Sequence, residues 1–429
     1  MTKDIIKTKL NNGLSILLKE IHTAPLISSW IWYRVGSKDE TTGITGISHW
    51  VEHMQFKGTP KYPSNILDKA ISREGGMWNA FTYLDWTTFL ETLPAAKIDL
   101  ALSLEADRMV NSIYDPDEVA SERTVIISER EGSENEPIFQ LSEAVQAAAF
   151  SVHPYHHQVI GDKADLKTIS RDDLYNHYRK YYSPSNAVLA IAGDFDSQSI
   201  LARITELFGG IPSGEKPTRL QRSEPEPNGE HHLDVHGPGE TTFIEIAYRF
   251  PSATDPDFFP FMVLDSLLSG PNNPSVFGGS GISNKTSRLY RALVEKNLAV
   301  GVYGSGQVTL DPFLYSTNIT LSSQNSIEEA LLAYDKEILK IQQENPSEDE
   351  IQRAIKQARA IFAYGTENIT HQAAWLGFTE MFANYQWFVE YLDNLAKVTP
   401  DDVMRIAQKW LSPRNRIVGK YIPEGEVRA

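Results

Sequence analysis

The chain has no cysteine among its 429 residues. That excludes disulfides and thiolate metal sites, so any metal must be held by histidine and carboxylate. No apolar run reaches 18 residues, so no segment has the length of a membrane-spanning helix. Positive charge is in short supply: 40 Lys and Arg against 56 Asp and Glu leave a formal net charge of −16. This balance argues against a nucleic-acid partner and is compatible with attraction of basic peptides, although solubility alone accounts for it. The segment Met1–Lys7 lacks the features of a secretory signal or an Arg-rich transit peptide, which points to a cytoplasmic, bacterial protein. What is present is a 41% hydrophobic content, enough for a folded protein, and a length that calls for two or more domains.

The polar, Pro-rich stretch from Pro212 through Glu224-Pro225-Glu226-Pro227-Asn228-Gly229 reads as an exposed linker. It predicts a domain over 1–211, a linker over 212–232 and a second domain over 233–429. The halves look related. Ser170-Arg171-Asp172-Asp173 is followed by Ser183-Pro184-Ser185-Asn186, with Pro184 eleven residues after Asp173. Thr399-Pro400-Asp401-Asp402 is followed by Ser412-Pro413-Arg414-Asn415, with Pro413 eleven residues after Asp402. An apolar strand follows each. A capped helix, a turn and a strand at equal spacing indicate internal duplication. Segments 326–344 and 347–364 have the length and periodicity of sheet-covering helices. Together these predict an α+β fold of two similar domains.

His49-Trp50-Val51-Glu52-His53 is the sharpest local pattern. Ile47, Trp50, Val51 and Met54 recur at helical spacing, and Gly58 is a natural stop. On a helix, His49 and His53 share a face and aim two imidazoles at one point, with Glu52 at its edge. Two neutral imidazoles and a nearby carboxylate suit a hydrolytic zinc site, although a solvated helix face can carry the same residues. A catalytic zinc needs a third protein ligand. The best source is Asp115–Glu131, where Asp115, Pro116 and Glu118 form a strong helix start and Glu122, Ile126 and Glu129 share a face. Between these segments, Gly75–Phe89 is rich in aromatic and β-branched residues and reads as a strand. The histidines at 231, 232 and 236 read as surface residues, and those at 153, 156 and 157 are assigned no metal.

These motifs resemble the pitrilysin and mitochondrial processing peptidase family of zinc metallopeptidases, in its short, two-subunit form. The H-x-x-E-H pattern, the run Glu122-Arg123-Thr124-Val125-Ile126-Ile127-Ser128-Glu129 with Glu129 76 positions after His53, and Gly75-Gly76-x-x-Asn79-Ala80-x-Thr82 carry the likeness. The resemblance implies Zn²⁺ bound by His49, His53 and Glu129, with Glu52 as general base and Glu122 as a second carboxylate beside the site. It implies an edge strand at Asn79, Ala80 and Phe81 that binds peptide by β-addition, small Ala80 leaving room for the approach. It also implies mostly antiparallel sheets covered by helices, forming half of a clamshell chamber.

The likeness breaks in the second half. Where the family carries an Arg and a Tyr that polarise the substrate, this chain has Val294 and Val300, which donate no hydrogen bond. The expectation is therefore a zinc-bearing endopeptidase subunit whose homologous partner supplies Arg and Tyr in a heterodimer, acting on unfolded or presequence-like peptides. The alternatives are a homodimer using other residues, such as Arg291 or Tyr303, and a non-catalytic assembly subunit. The glycine-rich stretch 269–281 is longer than the family's turn, either as a surface insertion or as a loop reaching toward a chamber or partner.

Overall fold

In the computed structural model, which describes residues 5–272 and 283–425, the strand-forming segments gather into two sheets. Residues 273–281 of the glycine-rich stretch lie outside the described residues. Strands β1 (Ile5–Lys9), β2 (Ser15–Glu20), β3 (Leu26–Tyr33), β4 (Met77–Thr82), β5 (Thr87–Pro94) and β6 (Ala187–Gly193) form the first sheet, in the order β1-β2-β6-β3-β5-β4. Strands β7 (His231–Gly237), β8 (Phe243–Phe250), β9 (Ala299–Gly306), β10 (Phe313–Leu321) and β11 (Arg416–Pro423) form the second, in the order β7-β11-β8-β10-β9. Every neighbouring pair is antiparallel except β2/β6 and β7/β11.

The duplicated sequence pattern maps onto those two exceptions. The helix Arg171–Tyr181, capped reciprocally by Ser170 and Asp173, leads through the turn Pro184–Asn186 into β6. The helix Pro400–Trp410, capped by Thr399 and Asp402, leads through Pro413–Asn415 into β11. Each of these strands lies parallel to one neighbour and antiparallel to the other. The helices Ile327–Gln343 and Glu348–Tyr364 begin at capping boxes, Ser326 with Glu329 and Ser347 with Glu350.

The chain groups into two compact units, and neither is one continuous stretch. The first holds residues up to Glu131, His157–Arg222 and Thr366–Val389; the second holds Gly132–His156, Ser223–Gly365 and the chain from Glu390 on. In the first unit, Ile16, Leu18, Ile31, Tyr33, Leu189 and Ile191 project from the sheet into a core with Trp50, Val51, Leu102, Met109, Leu174, Tyr178 and Ile204. The opposite face of β3 presents Trp30 and Trp32, stacked on each other at 5.5 Å. It is covered by the helix Ile369–Phe382, whose Phe378 ring lies 6.0 Å from that of Trp32. Gly377 permits the close approach, because a Cβ there would run into the Trp32 indole. In the second unit, the helix Pro137–Ala149 packs on β11, and a Cβ at Gly419 would strike Val145. Thus each unit takes one covering helix from the other half of the sequence. Between them, residues 212–230 carry no regular structure; Arg219 is held by Asp39 at 3.0 and 2.6 Å, while Glu224 accepts from the amides of Ser151, Val152 and His153.

Candidate metal centre

The helix Ile47–Met54 is fixed by its apolar side, with Ile47, Trp50, Val51 and Met54 buried. Its N-terminus has no side-chain cap of its own. Glu40, a buried carboxylate, takes that role by accepting from the amides of Gly46 and Ser48, both at 2.8 Å, and His157 Nε2 lies 2.9 Å from the same carboxylate. His157 therefore serves this helix start. The opposite side of the helix presents His49, Glu52 and His53. The helix Pro116–Glu134, begun by Asp115 accepting from the Asp117 amide at 2.9 Å, buries Glu122 and Ile126 and brings Glu129 alongside.

His49, His53 and Glu129 converge. His53 Nε2 lies 3.2 Å from His49 Nε2 and 3.6 Å from Glu129 Oε2, and His49 Nε2 lies 4.0 Å from the same carboxylate oxygen. They are the one group of three or more His, Asp or Glu residues among the described residues able to hold a metal ion. Tetrahedral zinc with nitrogen and oxygen ligands at about 2.0–2.1 Å sets those ligands roughly 3.3 Å apart. The two imidazole nitrogens match that spacing at 3.2 Å, the Glu129 oxygen stands somewhat farther out at 3.6 and 4.0 Å, and the donor set suits zinc.

The surroundings tune the candidate ligands. Burial, reinforced by the neighbouring His53, lowers the His49 pKa to about 3, so its imidazole is neutral over the ordinary pH range. For His53, burial alone would lower the pKa, but the hydrogen bond to Glu122 and the charges of Glu129 and Glu52 outweigh it and raise it. His53 Nδ1 lies 2.8 Å from Glu122 Oε1. A proton placed on Nδ1 donates there and leaves the Nε2 lone pair free. Glu122 is spent on His53 and on the Lys57 ammonium, which contacts its other oxygen. His49 Nδ1, in contrast, is buried without a hydrogen-bond partner among the described residues.

Glu52 is buried, and desolvation raises its pKa to about 7 even though Thr82 Oγ1 donates to its Oε2 at 2.6 Å. Thr82 and Lys57 were not assigned roles from the sequence. Lys57 stands four residues after His53, and that spacing was the available signal. Beside Glu52 and His53 opens a cavity of about 480 Å³, lined also by Phe56, Lys57, Asn79 and Glu118.

Among the described residues, strand β4 lies at the edge of the first sheet, paired only with β5. Met77, Asn79 and Phe81 share its exposed face. The Ala80 side chain is 6% exposed and packs into the core, because residues alternate faces along a strand. Its amide is taken by Asn79 Oδ1 at 2.9 Å. In the second unit, Val300 is 71% exposed on the edge strand β9, and Val294 ends the helical turn Tyr290–Val294.

Comparison with known proteins gives consistent likenesses. Residues 15–163 match the family model described as insulinase, peptidase family M16, and residues 168–358 match the model described as peptidase M16 inactive domain. An uncharacterized zinc protease of Mycobacterium tuberculosis is 26% identical over 412 residues, covering 95% of this chain and 91% of that protein. A mitochondrial-processing peptidase subunit beta of Lentinula edodes is 25% identical over 407 residues, covering 94% and 86%. The crystal structure of a Helicobacter pylori protease superposes with a TM-score of 0.91 over 98% of this chain and 99% of that one, at 23% identity, a likeness of fold.

Proposed function

Because the chain belongs to peptidase family M16, the pitrilysin and mitochondrial processing peptidase family, we propose that it is a zinc endopeptidase subunit acting on unfolded peptides. The observation that carries this reading is the convergence of His49, His53 and Glu129 beside the buried Glu52. A zinc ion held by those three residues would supply Lewis acidity to a water and to the scissile carbonyl. Glu52 takes the proton of the attacking water and passes it to the leaving nitrogen, a role suited to a carboxyl poised near neutral pH. Thr82 holds Oε2 and leaves Oε1 to carry the proton. Glu122 orients His53, and the open edge of β4 offers main-chain pairing to an extended peptide, with Asn79 and Phe81 on its exposed face.

A homologous subunit completes the site by supplying the Arg and Tyr that Val294 and Val300 cannot replace. Tyr303, 70% exposed on β9, supports a second reading, a homodimer that uses its own hydroxyl. The test is Glu52→Gln. It should keep about one zinc per chain by the three-ligand rule and lose peptide hydrolysis, because an amide cannot accept the proton. Substantial turnover by that variant would overturn the assignment of the base.

A further inference from the structure

Lys57 stands outside the three-ligand set, yet its ammonium ties together the two helices that carry the set. It follows the helix Ile47–Met54 and contacts Glu122, which belongs to the helix Pro116–Glu134. Glu122 uses its other oxygen on His53 Nδ1 at 2.8 Å. Glu129 lies seven residues along the same helix, on the same face, two turns from Glu122. The next acceptor near Lys57 is Glu118 Oε2 at 3.8 Å, one turn before Glu122. The Glu122 side chain is 7% exposed and that of Lys57 26%, so their pair is shielded more than a surface salt bridge.

We propose that Lys57 is a positioning residue of the metal centre: by fixing the Glu122 carboxylate it orients the His53 ring and holds Glu129 in ligand range. The inference rests on the zinc reading above. A carboxylate with one oxygen pinned has one rotamer to offer the imidazole. Without Lys57 the carboxylate can turn toward the adjoining cavity, and His53 loses the acceptor that keeps its proton on Nδ1. The same contact is a charged tie between Glu129's helix and the segment that follows the histidine helix. The competing role for Lys57 is direct contact with substrate, since its side chain also lines the cavity.

The experiment uses the full chain, with zinc affinity measured by chelator competition, the Co²⁺-substituted protein measured by its visible d–d spectrum, and melting of the metal-free protein recorded in parallel. Lys57→Met should weaken zinc binding by about 10–100-fold, the usual effect of losing an outer-shell partner. It should also change the cobalt spectrum while leaving the metal-free melting temperature nearly unchanged. Lys57→Arg, which keeps the charge opposite Glu122, should restore both. If Lys57→Met fails to fold, Lys57→Gln replaces it. Unchanged affinity and spectrum with a raised KM would overturn the proposal in favour of substrate contact. An affinity that falls only in step with metal-free stability, without rescue by Lys57→Arg, would overturn it in favour of a purely structural pair. Wild-type protein that takes up no zinc would instead defeat the metal reading itself, and the proposal with it.

Discussion

At the scale of single residues, burial decides what Glu52 can do. Its folded pKa of about 7 stands above the ordinary 4.5, so the folded metal-free protein binds more protons than the unfolded chain between those values. Its contribution to stability is therefore present at low pH and is lost as pH rises through that window. Glu52→Gln carries no ionisable group, so the metal-free variant should match wild type near about pH 4 and exceed it by ~3 kcal/mol near about pH 8. Denaturant melts of the metal-free proteins at both pH values check this, and equal stabilities at the higher pH would contradict the shift. The ligand candidates were legible because four-residue spacing on a helix is a geometric statement. The partners that tune them were not: Thr82 comes from a strand 30 positions after Glu52, and Glu40 caps the helix of His49 and His53 from outside it. Such contacts depend on tertiary placement, which local periodicity does not encode.

At the scale of elements, β4 shows where composition stops being informative. Aromatic and β-branched residues over Gly75–Phe89 announced one strand, whereas the segment holds β4, a turn over 83–86 and the start of β5, which pairs antiparallel with β4. Composition did not say which alternate residues face inward. Trp78 and Ala80 alternate with the exposed Met77, Asn79 and Phe81, so the small side chain serves the core. Ala80→Leu should accordingly destabilise the fold by about 1–3 kcal/mol through overpacking. Met77→Ser, on the exposed face, should stay within about 0.5 kcal/mol of wild type and raise KM for peptides. Thermal melts beside peptide kinetics separate the two, and a stable Ala80→Leu with weakened peptide binding would favour Ala80 leaving room for the peptide. The helix Ile369–Phe382 gave less warning still. Trp375, Leu376, Phe378, Met381 and Phe382 are all buried, so it has no polar side from which an amphipathic pattern could be read.

At the scale of the whole molecule, the duplication was visible in sequence because each copy keeps its capping box, turn and strand. The exchange of covering helices was invisible, because nothing local in Thr366–Val389 names the sheet it covers. Residues 1–222 made alone should therefore lack the cover over Trp30 and Trp32, bind an apolar dye and fail to melt cooperatively. Supplying 366–389 in trans should improve both readouts, and a cooperative, dye-silent fragment would contradict this account. Activity has its own whole-molecule test. With Val294 and Val300 in place, the isolated zinc-loaded chain should hydrolyse peptides poorly. A homologous subunit bearing Arg and Tyr should raise the rate, at roughly 10²–10³ per donor. Equal rates with and without such a partner would leave the homodimer reading standing.

The borrowed helix also sets a timetable. Trp30 and Trp32 emerge from the ribosome early, but the helix that covers them is encoded more than three hundred residues later. At ordinary rates of synthesis the nascent chain waits on the order of tens of seconds with the Trp30 and Trp32 face uncovered. A chaperone that shields apolar surface during translation would then matter more for this protein than for one whose halves each finish their own core.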